Sequence, residues 1–186
     1  MSWLGYLLSP NHVWRHVRYF WHARQWGGRI VVLCTSLVII SSISSLMWYS
    51  FIEHHETNEL HCLTMNIYHE ARGEPDEGKY AVAKVTLNRV ASKYYPNTIC
   101  EVVYEKRWDR IRKRYVSAFS WTELEQPAAP KMKLWKHVKN IAVTAYQEHA
   151  ITDLDGALFY HADHIRPSWS RQKTRVTKIG RHIFYL

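Results

Sequence analysis

The chain has 186 residues and a formal charge of +9, divided as +4 before Glu53 and +5 from Glu53 onward. Once a single membrane-length apolar run is set aside, the remainder is one domain's worth of sequence, large enough to bury about two-thirds of its unfolded surface and build a core. None of its three cysteines has a neighbour at CxxC spacing, which argues against a zinc site.

Residues 1–29 interleave Trp3, Trp14, Phe20, Trp21 and Trp26 with Arg and His, a composition that suits an interfacial segment on an anionic leaflet or a partly ordered cytoplasmic tail. They hold no catalytic constellation. Residues 30–52 contain no Asp, Glu, Lys, Arg or His, and a helix of that length crosses a ~30 Å hydrocarbon core at ~1.5 Å per residue. Ser41, Ser42, Ser44 and Ser45 reduce its hydrophobicity, but their hydroxyls can bond back to the helix's own carbonyls. A buried soluble helix is the alternative. Arg15, Arg18, Arg24 and Arg29 precede the run and Glu53, Glu56 and Glu59 follow it, so the positive-inside rule predicts a cytoplasmic amino terminus and an exported remainder. A cleaved signal peptide fits less well, because the run is long, lies far from Met1 and is not followed by small-residue cleavage positions.

In the exported part, residues 53–186, Leu60, Leu63, Ile67 and Ala71 follow helical spacing and predict a helix from near Asn58 to Arg72, stopped by Gly73. Pro75 opens a second helix with Ala81, Val82, Val85 and Ala91 toward one side, ending near Lys93 before Pro96. Arg107, Arg110, Arg112, Lys113 and Arg114 form a basic cluster. Export makes nucleic acid an improbable partner for it; an anionic wall polymer or a membrane surface fits better, and a solvated basic loop is the plain alternative. Pro130 introduces a third helix with the stripe Leu134, Val138, Ile141, Ala142, Ala145 and His149, the clearest periodicity in the chain. After Asp155-Gly156 the pattern changes to a short strand at Ala157–His161, followed by a hairpin of Val176–Ile179 and His182–Leu186 around Gly180-Arg181. The expected fold class is α+β, helices first and a small β-hairpin or sheet near the carboxyl terminus, preceded by one transmembrane helix. Cys34 falls in the apolar run as a small filler. Cys62 and Cys100 fall in the exported part, where an oxidising compartment would allow a bridge between them, two buried free thiols being the alternative.

Glu70 lies seven residues after Leu63 and three after Ile67, on the face of the buried stripe. A carboxyl there loses hydration, which favours its protonated form and suits a general acid at neutral pH. On spacing alone a structural ion pair with Arg72, Arg89 or a more distant base competes with that role. Glu74 and Glu77 read as first-turn acids complementing the dipole of the next helix.

The run Asn66-Ile67-Tyr68-His69-Glu70-Ala71-Arg72-Gly73-Glu74-Pro75, with Gly78, Ala81-Val82-Ala83 and Leu87-Asn88-Arg89-Val90, resembles the SleB-like cell wall hydrolase family. Tyr95–Cys100 with Val102-Val103-Tyr104, Phe119-Ser120-Trp121, Ala157–His161, Trp169 and Ile179–Tyr185 follow the family order, so the resemblance covers nearly the whole exported domain. It implies a lysozyme-related fold and a peptidoglycan glycosidase, in several members a lytic transglycosylase, whose acid corresponds to Glu70. One carboxylate would suffice: Glu70 would protonate the glycosidic oxygen between N-acetylmuramic acid and N-acetylglucosamine, then take the proton of the muramoyl 6-hydroxyl as a 1,6-anhydro ring closes. No second catalytic carboxylate is obvious, though Glu74 and Asp163 remain candidates for a hydrolase. The resemblance implies no metal or other cofactor. Phe119, Trp121, Tyr160 and Trp169 would offer flat faces to pyranose rings, while Ser120, His161 and His182 would bond hydroxyl or N-acetyl groups. Each aromatic has core packing as its plainer role. Tyr68 would pack beside Glu70 and orient it, and Asn88 and Arg89 would fix the second helix against the first.

The chain departs from the family in its basic stretch Glu105–Ala118 and in having Ser117-Ala118 where many relatives carry a further cysteine. It shows no wall-binding repeat, so the anchor would hold the enzyme near its substrate. That would suit a bacterial inner membrane with the domain facing the periplasm or cell wall, or a bacteriophage lysis or entry function. Two other classes compete. A metal-dependent amidase or peptidase would use His69, His161, His164 and His182, but Ala71, Arg72 and Gly73 follow His69-Glu70, so the HExxH helix lacks its second histidine. A non-catalytic wall-binding protein would be indifferent to Glu70→Gln.

Overall fold

The computed structural model describes residues 10–110, 112–125, 127, 129–148, 154 and 156–186. By its contacts the chain divides into two compact units, one reaching Glu53 and one from His54 onward.

A single helix, α1, runs from Pro10 to Ala71. The sequence predicts a fresh start near Asn58, but no proline or glycine occurs between Gly28 and Gly73, so nothing there breaks the hydrogen-bond ladder. From Trp26 onward α1 is long and apolar enough to cross a membrane, with a mean hydropathy of 2.3 in its most apolar window. In that part the hydroxyls of Ser36, Ser42 and Ser45 donate to the carbonyls of Val32, Val38 and Ser41 at 2.8–2.9 Å. Backbone acceptors thus absorb their polarity. Trp14, Trp21 and Trp26 are exposed, whereas Trp3 lies outside the described residues.

In the second unit the last turns of α1 pack against α2 (Asp76–Ala91), α3 (Ile99–Val103) and α4 (Met132–Glu148). Leu63 and Ile67 of α1, Ala83 of α2, Val103 of α3 and Val138 and Ala142 of α4 are fully buried in one cluster. The predicted stripe of α4 is therefore the core face as far as Ala145; His149 and Asp155 lie outside the described residues. α1 is tied to α3 twice. A disulfide joins Cys62 to Cys100 with the Cα atoms 5.2 Å apart, and the buried carboxylate of Glu59 accepts from the amides of Ile99 and Cys100 at the start of α3. Asn88 and Arg89 have other partners than the expected ones. Asn88 Nδ2 donates to the carbonyls of Leu154 and Ala157, and Arg89 Nε to that of Leu158, so they fasten α2 to the segment entering the sheet rather than to α1.

Among the described residues there are two antiparallel sheets, one between α3 and α4 and one after α4. The basic stretch, open to a loop reading, is a hairpin of β1 (Lys106–Asp109) and β2 (Arg114–Ser117), with Trp108 opposite Tyr115. The second sheet has the order β3-β5-β4, with β3 Phe159–Ala162, β4 Arg175–Ile179 and β5 His182–Tyr185. Its register sets Tyr160 opposite Phe184 and Ala162 opposite His182. Alternation along a strand puts these four on one face, and Phe159, His161, Ile183 and Tyr185 on the other. Phe184 is fully buried with Ala81, Val85, Leu154 and Ala157, which seats the first face on α2.

Candidate active site

Glu70 is the penultimate residue of α1 and opens into a cavity of about 470 Å³. Strand β3 brings Tyr160 to it across 90 residues of sequence, the phenol donating to Glu70 Oε2 at 3.2 Å. Burial raises the pKa of Glu70 above its ordinary value, while the Tyr160 hydrogen bond and the charge of Arg89 pull it back. Burial and the neighbouring Glu70 charge push the Tyr160 hydroxyl well up, so it stays a donor. Among the described residues Glu70 makes no ion pair, and Arg89 acts on it only through its field.

His182, on the same sheet face as Tyr160, lies edge-on to its ring with centroids 5.2 Å apart. Burial lowers its pKa despite the opposing charge of Glu74, and its buried Nδ1 has no hydrogen-bond partner among the described residues. His161 borders the cavity from the other face, but both ring nitrogens are engaged, Nδ1 with the carbonyl of Ala162 and Nε2 with the Tyr185 hydroxyl, each at 2.9 Å. Its ring stacks on Tyr185 and meets the edge of Trp169.

Of the residues proposed to contact sugar, Phe119, Ser120, Tyr160, His161, Trp169 and His182 border the cavity with Glu70, whereas Tyr68 and Trp121 do not. Tyr68 is buried, its ring edge-on to Trp135 and its hydroxyl accepting from the Lys131 amide at 3.0 Å. Trp121 donates its indole N–H to Asn66 Oδ1 at 3.1 Å and stacks on His69. Both aromatics therefore support α1 from the core side. Neither candidate second carboxylate borders the cavity. Glu74 is not a dipole partner for α2 but a latch: burial pushes its pKa up, yet the Arg181 amide at 2.8 Å and guanidinium at 2.7 Å outweigh this and hold it below its usual value. Two glycines make room for that latch. Gly180 has φ +57° and a Cβ there would collide with the Glu74 carboxylate, while one on Gly73 would lie 2.9 Å from the Arg181 guanidinium. Asp163 pairs with Lys178 at 2.7 Å on the surface.

Sequence reasoning missed several cavity residues, among them Arg89 on α2, Arg112 and Arg114 of the hairpin, and Glu123. The charge density near 107–114 was visible; its proximity to Glu70 depends on long-range packing. The four histidines weighed as metal ligands are dispersed: His69 against Trp121, His161 against Tyr185, His182 against Tyr160, and His164 beside Asp163 at the surface. Among the described residues no group of three or more His, Cys, Asp or Glu side chains is placed to hold a metal.

The second unit is thus a helix-rich α+β domain in which a half-buried carboxyl, Glu70, faces an open cavity. The chain belongs to the Cell Wall Hydrolase family, whose profile matches residues 73–185. It is 32% identical over 131 residues to the spore cortex-lytic enzyme of Oceanobacillus iheyensis, covering 68% of this chain and 41% of that one, and 30% identical over 131 residues to that of Bacillus subtilis, covering 68% and 37%. The chain therefore spans less than half the length of these relatives. Among solved structures it resembles the catalytic domain of the germination-specific lytic transglycosylase SleB from Bacillus anthracis, with a TM-score of 0.52 and 30% identity over 69% of this chain and 94% of that one. The catalytic domain of the Bacillus cereus SleB protein is similar to the same degree, covering 70% and 91%. The family profile begins three residues after Glu70, so the role of that residue rests on its surroundings.

Proposed function

We propose that this chain is a membrane-anchored lytic transglycosylase that cleaves peptidoglycan between N-acetylmuramic acid and N-acetylglucosamine. Residues 30–52 span the cytoplasmic membrane of a bacterium, residues 1–29 remain inside, and the lysozyme-related domain 53–186 faces the periplasm or wall. Support for the anchor comes from the charge-free apolar run and the arginines before it. The observation that carries the chemistry is Glu70, a carboxyl with raised pKa at a cavity of sugar dimensions, hydrogen-bonded by Tyr160.

The opposing influences on Glu70 suit a group that must act twice. Burial keeps its proton on for donation to the glycosidic oxygen, and Tyr160 and Arg89 stabilise the carboxylate left behind. That carboxylate then accepts the proton of the muramoyl 6-hydroxyl as this oxygen attacks the anomeric carbon. The bond broken is glycosidic, the bond formed closes the 1,6-anhydro ring, and no water is consumed. His182, whose side chain also borders the cavity, would bond an N-acetyl group in this reading.

The test is incubation of the full-length chain in detergent, with and without Glu70→Gln, with sacculi, and mass analysis of the released muropeptides. Products one water lighter, lacking a new reducing end and reduced about a thousandfold or more in the variant, are expected for an essential acid. Reducing products would mean hydrolysis, and equal yields from both proteins would leave Glu70 with no catalytic part. Folding is checked by the pH dependence of unfolding. The raised pKa means the stability tied to this carboxyl is present at low pH and lost as pH rises through the folded-state value. Glu70→Gln should therefore unfold with wild type at acid pH and at a higher temperature than wild type on the alkaline side.

A further inference from the structure

One side of the Glu70 cavity carries charge that an amino-sugar backbone does not need. Arg112 and Arg114 of the β1–β2 hairpin border it. Arg114 and Val116, two apart on β2, share the face toward the cavity, while Trp108 and Tyr115 share the opposite one. The arginines are weakly engaged by protein. Arg112 reaches Asp109 at 3.7 Å and Arg114 reaches Glu123 at 3.5 Å, with the guanidinium side chains 64% and 56% exposed. These distances exceed the ~2.7–2.9 Å of a charge-assisted hydrogen bond, and such exposed pairs contribute little in water. Glu123 is fastened elsewhere, accepting the Ser117 amide at 2.9 Å, so Arg114 can exchange its distant partner for a better one without disturbing the hairpin.

The hydroxyl and N-acetyl groups of a glycan strand are uncharged. Negative charge in peptidoglycan lies instead on the free carboxylates of the stem peptides that extend from the muramoyl lactyl group, beside each bond to be cut. A guanidinium presents paired N–H donors at the spacing of two carboxylate oxygens. We propose that Arg112 and Arg114 form a subsite for stem-peptide carboxylates, so that this chain selects glycan strands that still bear their stems. The inference rests on the reading of the cavity as a glycan site. It gives the basic stretch a role in choosing substrate rather than in general attraction to anions.

The test measures binding, so that cleavage is not required. Full-length Glu70→Gln chain in detergent is passed over three immobilised glycan preparations: stem-bearing strands, strands stripped of stems by an amidase so that only lactyl carboxylates remain, and stem-bearing strands whose carboxylates have been amidated. The expected result is about tenfold tighter retention on the stem-bearing strands than on either other preparation, the size of two modest charge-assisted contacts. That preference should weaken with added salt. Adding Arg112→Gln and Arg114→Gln should erase it, while Lys106→Gln, which removes an equal charge from the same hairpin away from the cavity, should keep it. Equal retention on all three overturns the inference and leaves the glycan reading standing. Loss on amidated strands alone, with stripped strands held as tightly as stem-bearing ones, shows that the arginines take a lactyl or a stem carboxylate alike and overturns the selection of stems, as does a double variant that retains the preference. No retention on any glycan overturns both readings.

Discussion

The two halves of α1 are built of the same backbone and similar residues, and they solve opposite problems. Between Ile30 and Ile52 apolar side chains point in every direction, and Leu33, Leu37, Ile40 and Trp48 are each more than half exposed. Past Glu59 the apolar residues gather on one face, where Leu63 and Ile67 have no exposed surface and Glu70 continues the stripe as its one ionisable member. Hydrophobicity without a side suits a medium that surrounds the helix; hydrophobicity with a side suits a core. The carboxyl matters because it sits at the edge of that core, half-buried where the cavity opens.

Several variants sharpen or break that contrast. The largest stability effect after loss of Glu70 chemistry should come from Cys62→Ser with Cys100→Ser. The 38-residue separation implies a loss of about 4 kcal/mol on the chain-entropy model. Calorimetry should show the domain transition falling steeply while alkaline carbonate still fails to extract the chain from membranes; coupled loss of both would merge the two halves into one cooperative unit. A matched pair comes next. Ile67→Ala empties a fully buried site and should destabilise the domain by about 3 kcal/mol, whereas Leu37→Ala, exposed in the other half, should leave the same denaturant midpoint unmoved. Equal effects from the two would break the comparison. The smallest loss of activity expected is that of Tyr160→Phe, about tenfold in kcat/KM from one charge-associated hydrogen bond. Its sign is the informative part. Tyr160 lowers the Glu70 pKa, so its removal should carry the alkaline limb of the pH profile to higher pH; a downward shift would deny that the hydrogen bond acts on the ionised form.

The parts of this fold that could be read in advance are those with local punctuation. Pro75 and Pro130 stand just before α2 and α4, and Gly180 takes the positive φ of the β4–β5 turn, so helices and hairpin follow from neighbours in sequence. The β1–β2 hairpin was hidden because its strands lack an apolar alternation and its turn places Lys113, not glycine, at φ +51°. For the site, helical phase alone put Glu70 on the buried side of α1 and left an ion pair open as its role; the structure borders the cavity with it. Tyr68 was misleading for a related reason: two positions away on a helix is about 200° around it, which turns the ring to Trp135 while the carboxyl faces the cavity. Trp121 sits beside cavity residues in sequence, but the turn at Ser120–Glu123 sends its indole inward to Asn66. The partners of Glu70 and Glu74, at separations of 90 and 107 residues, could be read from no local pattern.

Those separations also order events during biosynthesis. The acid leaves the ribosome long before Tyr160, and the Arg181 latch that seats β5 follows later still. A half-made chain holds its carboxyl without Tyr160 or the sheet that closes around it. On the proposed function, the glycan-cutting site would therefore be assembled only when synthesis of the domain is nearly finished.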